Sequence, residues 1–244
     1  MAFKPRETTK PQKRLWAYVA TPAYDGKVQT DFAMSVAESC QVAALMGINV
    51  TVCMMRNGAF IDLSRNNFVR LFLETECTHL FFIDSDLKWE PRAFVGLLTS
   101  GKPICAGAYP KRQEPEEYPV RYKPHPEQGG LWVDNGWIMC DRVPTGFLCI
   151  ERSVLERMVA KAPVIKSSKD PTNPRLFYTY MNEDDMFVGE DFAFCKDYVA
   201  EFNEYIPVWP DFDFTHGERF TGNFHTFLNE QVKKEEAIST SAAA

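Results

Sequence analysis

The stretch HLFFIDSDLKWEP, residues 79–91, closes an apolar run with two carboxylates one residue apart, Asp84 and Asp86. Residues i and i+2 of an extended chain point to the same side, so the spacing predicts two like charges converging roughly 6.5–7 Å apart along the strand. Such convergence is costly unless a cation joins the pair. Hard oxygen ligands suit manganese or magnesium, which complete their shells with water and phosphate oxygens. The competing reading, that the aspartates cap a helix or mark a turn, is weaker because Glu90, just before Pro91, is better placed to cap the next helix. A third ligand candidate is His216 in DFDFTHGERFTG, where an aromatic-rich strand runs into a glycine-bounded loop that presents the imidazole. His225, in NFHTF, competes for that role, but its position predicts a ring that packs or faces solvent.

The elements that must position these groups follow from the apolar pattern. LWAYVATP, 15–22, reads as a strand stopped by Pro22, followed by a helix over about 30–46 and a β-branched strand from Asn49. A helix capped by Ser64 should run from Arg65 to about Thr75, and THLFFID then forms a strand that is apolar on both faces. Pro91 suits the first turn of a helix over 91–99, and PICAGAY is the next strand. This alternation predicts an α/β fold: a doubly wound, mostly parallel sheet with helices on both faces. Ligands of such sheets bind beyond the carboxyl ends of the strands, where Asp84 and Asp86 lie. Prolines 110, 115, 119, 124 and 126 then mark a surface loop, and Asn135-Gly136 marks a small antiparallel hairpin. TGFLCIE reads as a strand, 153–161 as a helix, 163–185 as a second polar loop, Glu190 as the start of a helix, and YIPVWPDFDFTHG as a late strand. The division expected is a flexible basic arm over 1–14, one domain over 15–232 and a frayed tail over 233–244.

Composition narrows the function. The chain has 244 residues, 45% of them apolar, and a net charge of −6, so it fills a core and repels polyanions as a whole. A nucleic-acid partner is disfavoured, except as a modified-base acceptor reached through the basic N-terminus. No stretch is as long and apolar as a membrane span, and the N-terminus lacks a signal peptide's apolar core, which predicts a cytoplasmic protein. The seven cysteines are odd in number and include no C-x-x-C; Cys53, Cys105 and Cys149 lie in apolar runs, which predicts reduced core thiols and no zinc site.

The D-x-D pair closing HLFFIDSD resembles the nucleotide-sugar signature of GT-A fold glycosyltransferases, particularly small phage, viral or bacterial members. Further pieces fall in that family's order across about residues 15–225: TPAYDG, SRNNFV, YPKR, PTGFLCIERSVL, GEDFAFC and THG. The resemblance implies a metal-dependent transfer of a sugar from a nucleoside diphosphate donor to a hydroxyl acceptor on a sugar or glycan. Thr21, Pro22 and Tyr24 would form the nucleoside loop, with Tyr24 offering a ring to the base. Arg65 would face the diphosphate at a helix start, Asp84 the ribose or metal, and Asp86 the metal, joined by His216. Gly146 would let the backbone approach the sugar. Asp191, with Glu190 beside it, would be the catalytic carboxylate if the enzyme inverts the anomeric centre; acids in a first helical turn also simply complement the dipole. Lys111 and Arg112 would hold phosphate or acceptor, or remain solvated loop charges.

Four rivals fit less well. GLLTSGKP imitates a P-loop, but Pro103 stands where Ser or Thr should bind magnesium, and the segment follows a helix rather than a strand. No G-x-G-x-x-G follows the first strand, and TPAYDGK is a poor match to the glycine-rich basic loop of sugar nucleotidyltransferases. A GT-A-like domain that binds a glycan or partner without turnover is the non-enzymatic alternative.

Overall fold

The computed structural model describes residues 14–242 except 57, 128 and 167–171, with side chains up to 234. The basic arm therefore falls outside the described residues except for Arg14, whose side chain donates to the Gly47 carbonyl. The chain runs β1 (Trp16–Pro22), α1 (Thr30–Leu45), β2 (Asn49–Met55), α2 (Ile61–Leu73), β3 (His79–Ile83), β4 (Leu87–Trp89), α3 (Pro91–Leu98) and β5 (Ile104–Gly107). It continues with β6 (Arg121–Tyr122), β7 (Val133–Asp134), β8 (Trp137–Arg142), β9 (Phe147–Glu151) and α4 (Arg152–Val159). The short strands β10 (Val164–Ile165), β11 (Asn173–Pro174), β12 (Tyr180–Met181) and β13 (Phe187–Val188) precede α5 (Glu190–Phe202). The last elements are β14 (Ile206–Trp209), β15 (Asp213–His216), β16 (Phe220–Asn223) and α6 (Phe224–Ala242).

The main sheet has the order β2-β1-β3-β9-β5-β14-β8-β6, with β7 also on β8. Strand β1 is parallel to both β2 and β3, and β5 is parallel to β14, whereas β9 and β8 run against their neighbours. The sheet is thus mostly parallel in sense. From β1 the chain moves out to β2 and returns to β3 on the other side, so strand order reverses between β1 and β3. Their carboxyl ends, Thr21-Pro22 and Asp84, flank the crevice in which open α/β sheets bind ligands.

Alternation along the strands builds a core on each face. Tyr18, Ala20, Leu80, Phe82, Leu148 and Ile150 pack with Phe68 and Phe72 of α2, Leu155 of α4 and Phe194 of α5. Ala17, Val19, Phe81, Ile83, Phe147 and Cys149 pack on the opposite face with Phe32 of α1 and Phe94 of α3. This is why THLFFID reads as apolar without alternation: both of its faces are covered. Each fully buried phenylalanine contributes roughly 1.5–3 kcal/mol, which fixes the strand ends that carry the polar groups.

Several expectations need correction. Helix α2 starts at Ile61 rather than Arg65, after an extended Phe60; Ser64 lies a turn inside, its hydroxyl donating to the Phe60 carbonyl at 3.1 Å. Glu90 occupies the N-cap position of α3 but makes no side-chain cap bond, pairing with Arg92 at 2.6 Å instead. Residues 233–242, read as a frayed tail, continue α6. The 163–185 segment is no free polar loop: the buried Asn66 amide accepts from the N–H groups of Leu176 and Phe177 and donates to the Phe177 carbonyl. The proline-rich loop is likewise docked, with Tyr118 packed on Phe224 and Phe227 at 4.9 and 5.0 Å. Cys53 is only partly buried, while Cys105 and Cys149 are buried as expected. The Asn135-Gly136 turn is present, with φ of 49° and 83°, values the type I′ hairpin requires.

Candidate active site

The two aspartates part company. Strand β3 ends at Ile83, and the chain turns, the Leu87 N–H donating to the Asp84 carbonyl at 3.3 Å. An extended pair converging on one point is therefore not what forms. Asp84 turns to Arg65, whose Nη2 lies 3.4 Å from Oδ1, and to Tyr109, whose hydroxyl donates to Oδ2 at 3.3 Å. Arg65 also donates through Nε to Glu190 Oε1 at 3.2 Å, and its guanidinium sits 5.5 Å over the Phe82 ring. Arg65 is only 4% exposed, so it does not face an open diphosphate site. Its Nη1 is buried with no partner among the described residues.

Gly146 approaches these groups rather than leaving free space for a sugar. Its carbonyl accepts from the Asp84 N–H at 3.0 Å, and its N–H donates to the Tyr109 hydroxyl at 3.1 Å. A Cβ here would lie 2.2 Å from the Tyr109 oxygen and 2.3 Å from Asp84 Oδ2. Gly146→Ala is therefore expected to displace both groups and destabilise the chain by about 1–3 kcal/mol, as overpacking does. A denaturant midpoint equal to wild type would show that the pocket yields freely.

Asp86 belongs to a second cluster. Strand β15 pairs antiparallel with β4 and sets His216 opposite Leu87, while the Gly217 N–H donates to the Asp86 carbonyl at 2.8 Å. His216 Nδ1 lies 2.8 Å from the Pro110 carbonyl, which can only accept, so Nδ1 carries the proton. Nε2 is then aimed at Asp86 Oδ2, 3.5 Å away, and Arg112 Nη1 lies 2.9 Å from the same oxygen. Burial pushes the Asp86 carboxyl up, but the hydrogen bond and charge of His216, when its ring carries a proton on both nitrogens, and the charge of Arg112 outweigh it and hold it below the ordinary range. Tyr109 joins the two clusters: its hydroxyl holds Asp84 and its ring meets the His216 ring edge-on at 5.1 Å. Burial foremost, then the Asp84 charge, pushes the Tyr109 hydroxyl well above its ordinary pKa, so it remains a donor.

The start of α5 closes the first cluster. Glu190 is committed to Arg65, but Asp191 has no ion-pair partner among the described residues, and its Oδ1 accepts the Phe192 N–H at 2.8 Å. Burial, with the Glu190 charge beside it and Arg65 acting in the opposite sense, raises Asp191 to about 6. A carboxyl so placed holds and releases a proton near neutral pH. Thr21 at the end of β1 is fully buried, with a hydroxyl that has no partner among the described residues, and Pro22 follows half-buried. Tyr24 is 68% exposed on the adjoining turn, and that loop is tied to the aspartate turn by the Gln29 N–H donating to the Ser85 carbonyl at 3.0 Å. Lys111 bonds Glu117 rather than either aspartate. His225 is exposed at the start of α6.

Asp84, Arg65, Glu190 and Asp191 are thus gathered at one cluster, and Asp86 with His216 at the next. Tyr109 was not singled out from the sequence. The signal was its place at the carboxyl end of a core strand, the same edge that carries Asp84. Among the described residues no three His, Cys, Asp or Glu side chains gather to hold a metal ion. Asp86 and His216 supply a carboxylate oxygen and an imidazole nitrogen; the oxygen would suit manganese or magnesium, and the nitrogen manganese rather than magnesium, with the remaining positions filled by a ligand. The expected third protein ligand, Asp84, is engaged with Arg65 and Tyr109.

No family model and no curated protein matches the chain. Among solved structures it is similar to A197 from STIV, at 17% identity and a TM-score of 0.49, covering 84% of this chain and 86% of that one. It is also similar to the inositol-1-phosphate CTP transferase from T. maritima, at 12% identity and a TM-score of 0.41 over 83% and 89% of the two chains. A third is S. aureus TarS 1-349 in complex with UDP-GlcNAc, at 12% identity and a TM-score of 0.43, over 86% of this chain and 60% of that one. Among the described residues, no helix is long and apolar enough to cross a membrane.

Proposed function

We propose that this chain is a cation-dependent glycosyltransferase that moves a sugar from a nucleoside diphosphate to a hydroxyl acceptor. The observation that carries the reading is the pairing of Asp86 with the Nε2 of an oriented His216, at the sheet's ligand-binding edge, near a carboxyl raised to about 6 at Asp191. Asp86 and His216 would hold manganese or magnesium, which when bound offsets the charge gathering on the departing diphosphate. The Pro110 carbonyl fixes the imidazole tautomer this requires, as a second partner does for ligating histidines.

The remaining groups have separable tasks. Tyr24, exposed beside the β1 end, offers its ring to the nucleoside base. Arg65 and Tyr109 hold Asp84 in one orientation, toward the ribose or sugar hydroxyls, which keeps the reacting centre positioned. Asp191 accepts the acceptor's proton as the hydroxyl oxygen bonds to the anomeric carbon, and the sugar–oxygen bond breaks with its electron pair leaving on the diphosphate. This step inverts the anomeric centre. Glu190, fixed by Arg65, raises the basicity of Asp191 through its charge.

His216→Ala is expected to weaken manganese-dependent binding of the nucleotide donor by roughly tenfold or more, as loss of one ligand should, whereas His225→Ala leaves it unchanged. Calorimetric titration of the donor with and without manganese distinguishes the two. Equal losses in both variants, or none in either, would remove His216 from the shell.

A further inference from the structure

We propose that Arg112 is an exchangeable counter-ion: it rests on Asp86 when no cation is present and moves to the diphosphate when a cation takes its place. The inference deepens the cation reading above and rests on it. Asp86 Oδ2, the oxygen that faces His216 Nε2, is the same oxygen that Arg112 Nη1 meets at 2.9 Å. A guanidinium and a divalent cation cannot both take that position, so the two compete for one carboxylate oxygen.

The surroundings hold the backbone while leaving the side chain free. Pro110 is anchored through its carbonyl to His216 Nδ1, and the Lys111 N–H donates to the Glu117 carbonyl at 2.7 Å. The Arg112 stem runs beside Gly217, whose N–H is bonded to the Asp86 carbonyl. Yet the Arg112 side chain is 60% exposed, against 5% for Arg65. The two other basic groups named for phosphate binding are committed: Arg65 is buried between Asp84 and Glu190, and Lys111 is paired with Glu117. That leaves Arg112 as the basic side chain at Asp86 with room to turn toward a phosphate, for which a guanidinium fork is suited.

The test uses the whole chain with manganese alone and then with manganese pyrophosphate, following binding by electron paramagnetic resonance and calorimetry. Arg112→Gln should bind free manganese about threefold or more tightly than wild type, the scale of an exposed ion pair, and Arg112→Lys should fall between. The same Arg112→Gln chain should bind manganese pyrophosphate more weakly than wild type. Unchanged or weaker manganese binding by Arg112→Gln overturns the exchange, as does undiminished pyrophosphate binding. The double variant Arg112→Gln with Asp86→Asn separates the two ideas. If tight manganese binding survives in it, or if no chain binds manganese at all, the cation reading at Asp86 fails and takes the exchange with it.

Discussion

Asp191→Asn is expected to lose sugar transfer by ~10²-fold or more while gaining stability, because the feature that suits Asp191 for proton transfer also strains the fold. The side-chain carbonyl of asparagine still accepts the Phe192 N–H, so α5 keeps its start. Folding raises the carboxyl to about 6, and between the ordinary carboxylate range and that value the folded chain holds a proton that the unfolded chain has lost. Wild-type stability therefore falls as pH rises through that window, and the deficit is complete above it. Asparagine removes the deficit, on the order of 3 kcal/mol at neutral pH. Wild-type transfer should rise with pH through about 6 as the base ionises, and a variant that melts no higher than wild type at pH 7.5 while transferring normally would reduce Asp191 to a helix-start acid.

The largest loss of stability is expected from Arg65→Met. This guanidinium, with its side chain 5% exposed, stands between two carboxylates, Asp84 at 3.4 Å and Glu190 at 3.2 Å. Without it, both acids stay in a poorly solvated crevice beside Asp191, and breaking a buried pair in this way costs about 3–5 kcal/mol. The loss should appear in urea denaturation at pH 7. The triple variant Arg65→Met, Asp84→Asn, Glu190→Gln should recover most of it, since no charge is then left without a partner. A single variant as stable as wild type would mean that solvent, not Arg65, balances these carboxylates.

What the sequence disclosed about this site, and what it hid, follows from the range over which each signal acts. Asp84 and Asp86 were visible because they interrupt an apolar run, and the run marks a strand whose faces are both covered. Their divergence was not visible. The i, i+2 rule holds while a chain stays extended, and here it turns directly after Ile83, with Asp84 taken up by Arg65 and Tyr109. The nearness of His216 to Asp86 was anticipated by ligand chemistry, but its cause, β15 pairing with the three-residue β4, is a long-range contact that no local pattern encodes. Arg65, expected to face the diphosphate from a helix start, lies a turn inside α2, which begins at Ile61, and is buried there. Tyr109 and the Pro110 carbonyl were hidden for a similar reason: neighbours in sequence, they reach different members of the site, and only the closed sheet brings those members to them.

In the proposed function, a cation held by Asp86 and His216 couples the chain to a nucleoside diphosphate. The most direct measurement is thermal melting of the wild-type chain and of Asp86→Asn across a panel of nucleoside diphosphates and nucleotide-sugars, each with and without manganese. At 100 times its dissociation constant a ligand adds about 2.7 kcal/mol to stability. At least one nucleotide is expected to raise the wild-type melting temperature only when manganese is present, and Asp86→Asn is expected to abolish the shift. A panel in which no nucleotide produces a manganese-dependent shift, or in which Asp86→Asn shifts as wild type does, would contradict it.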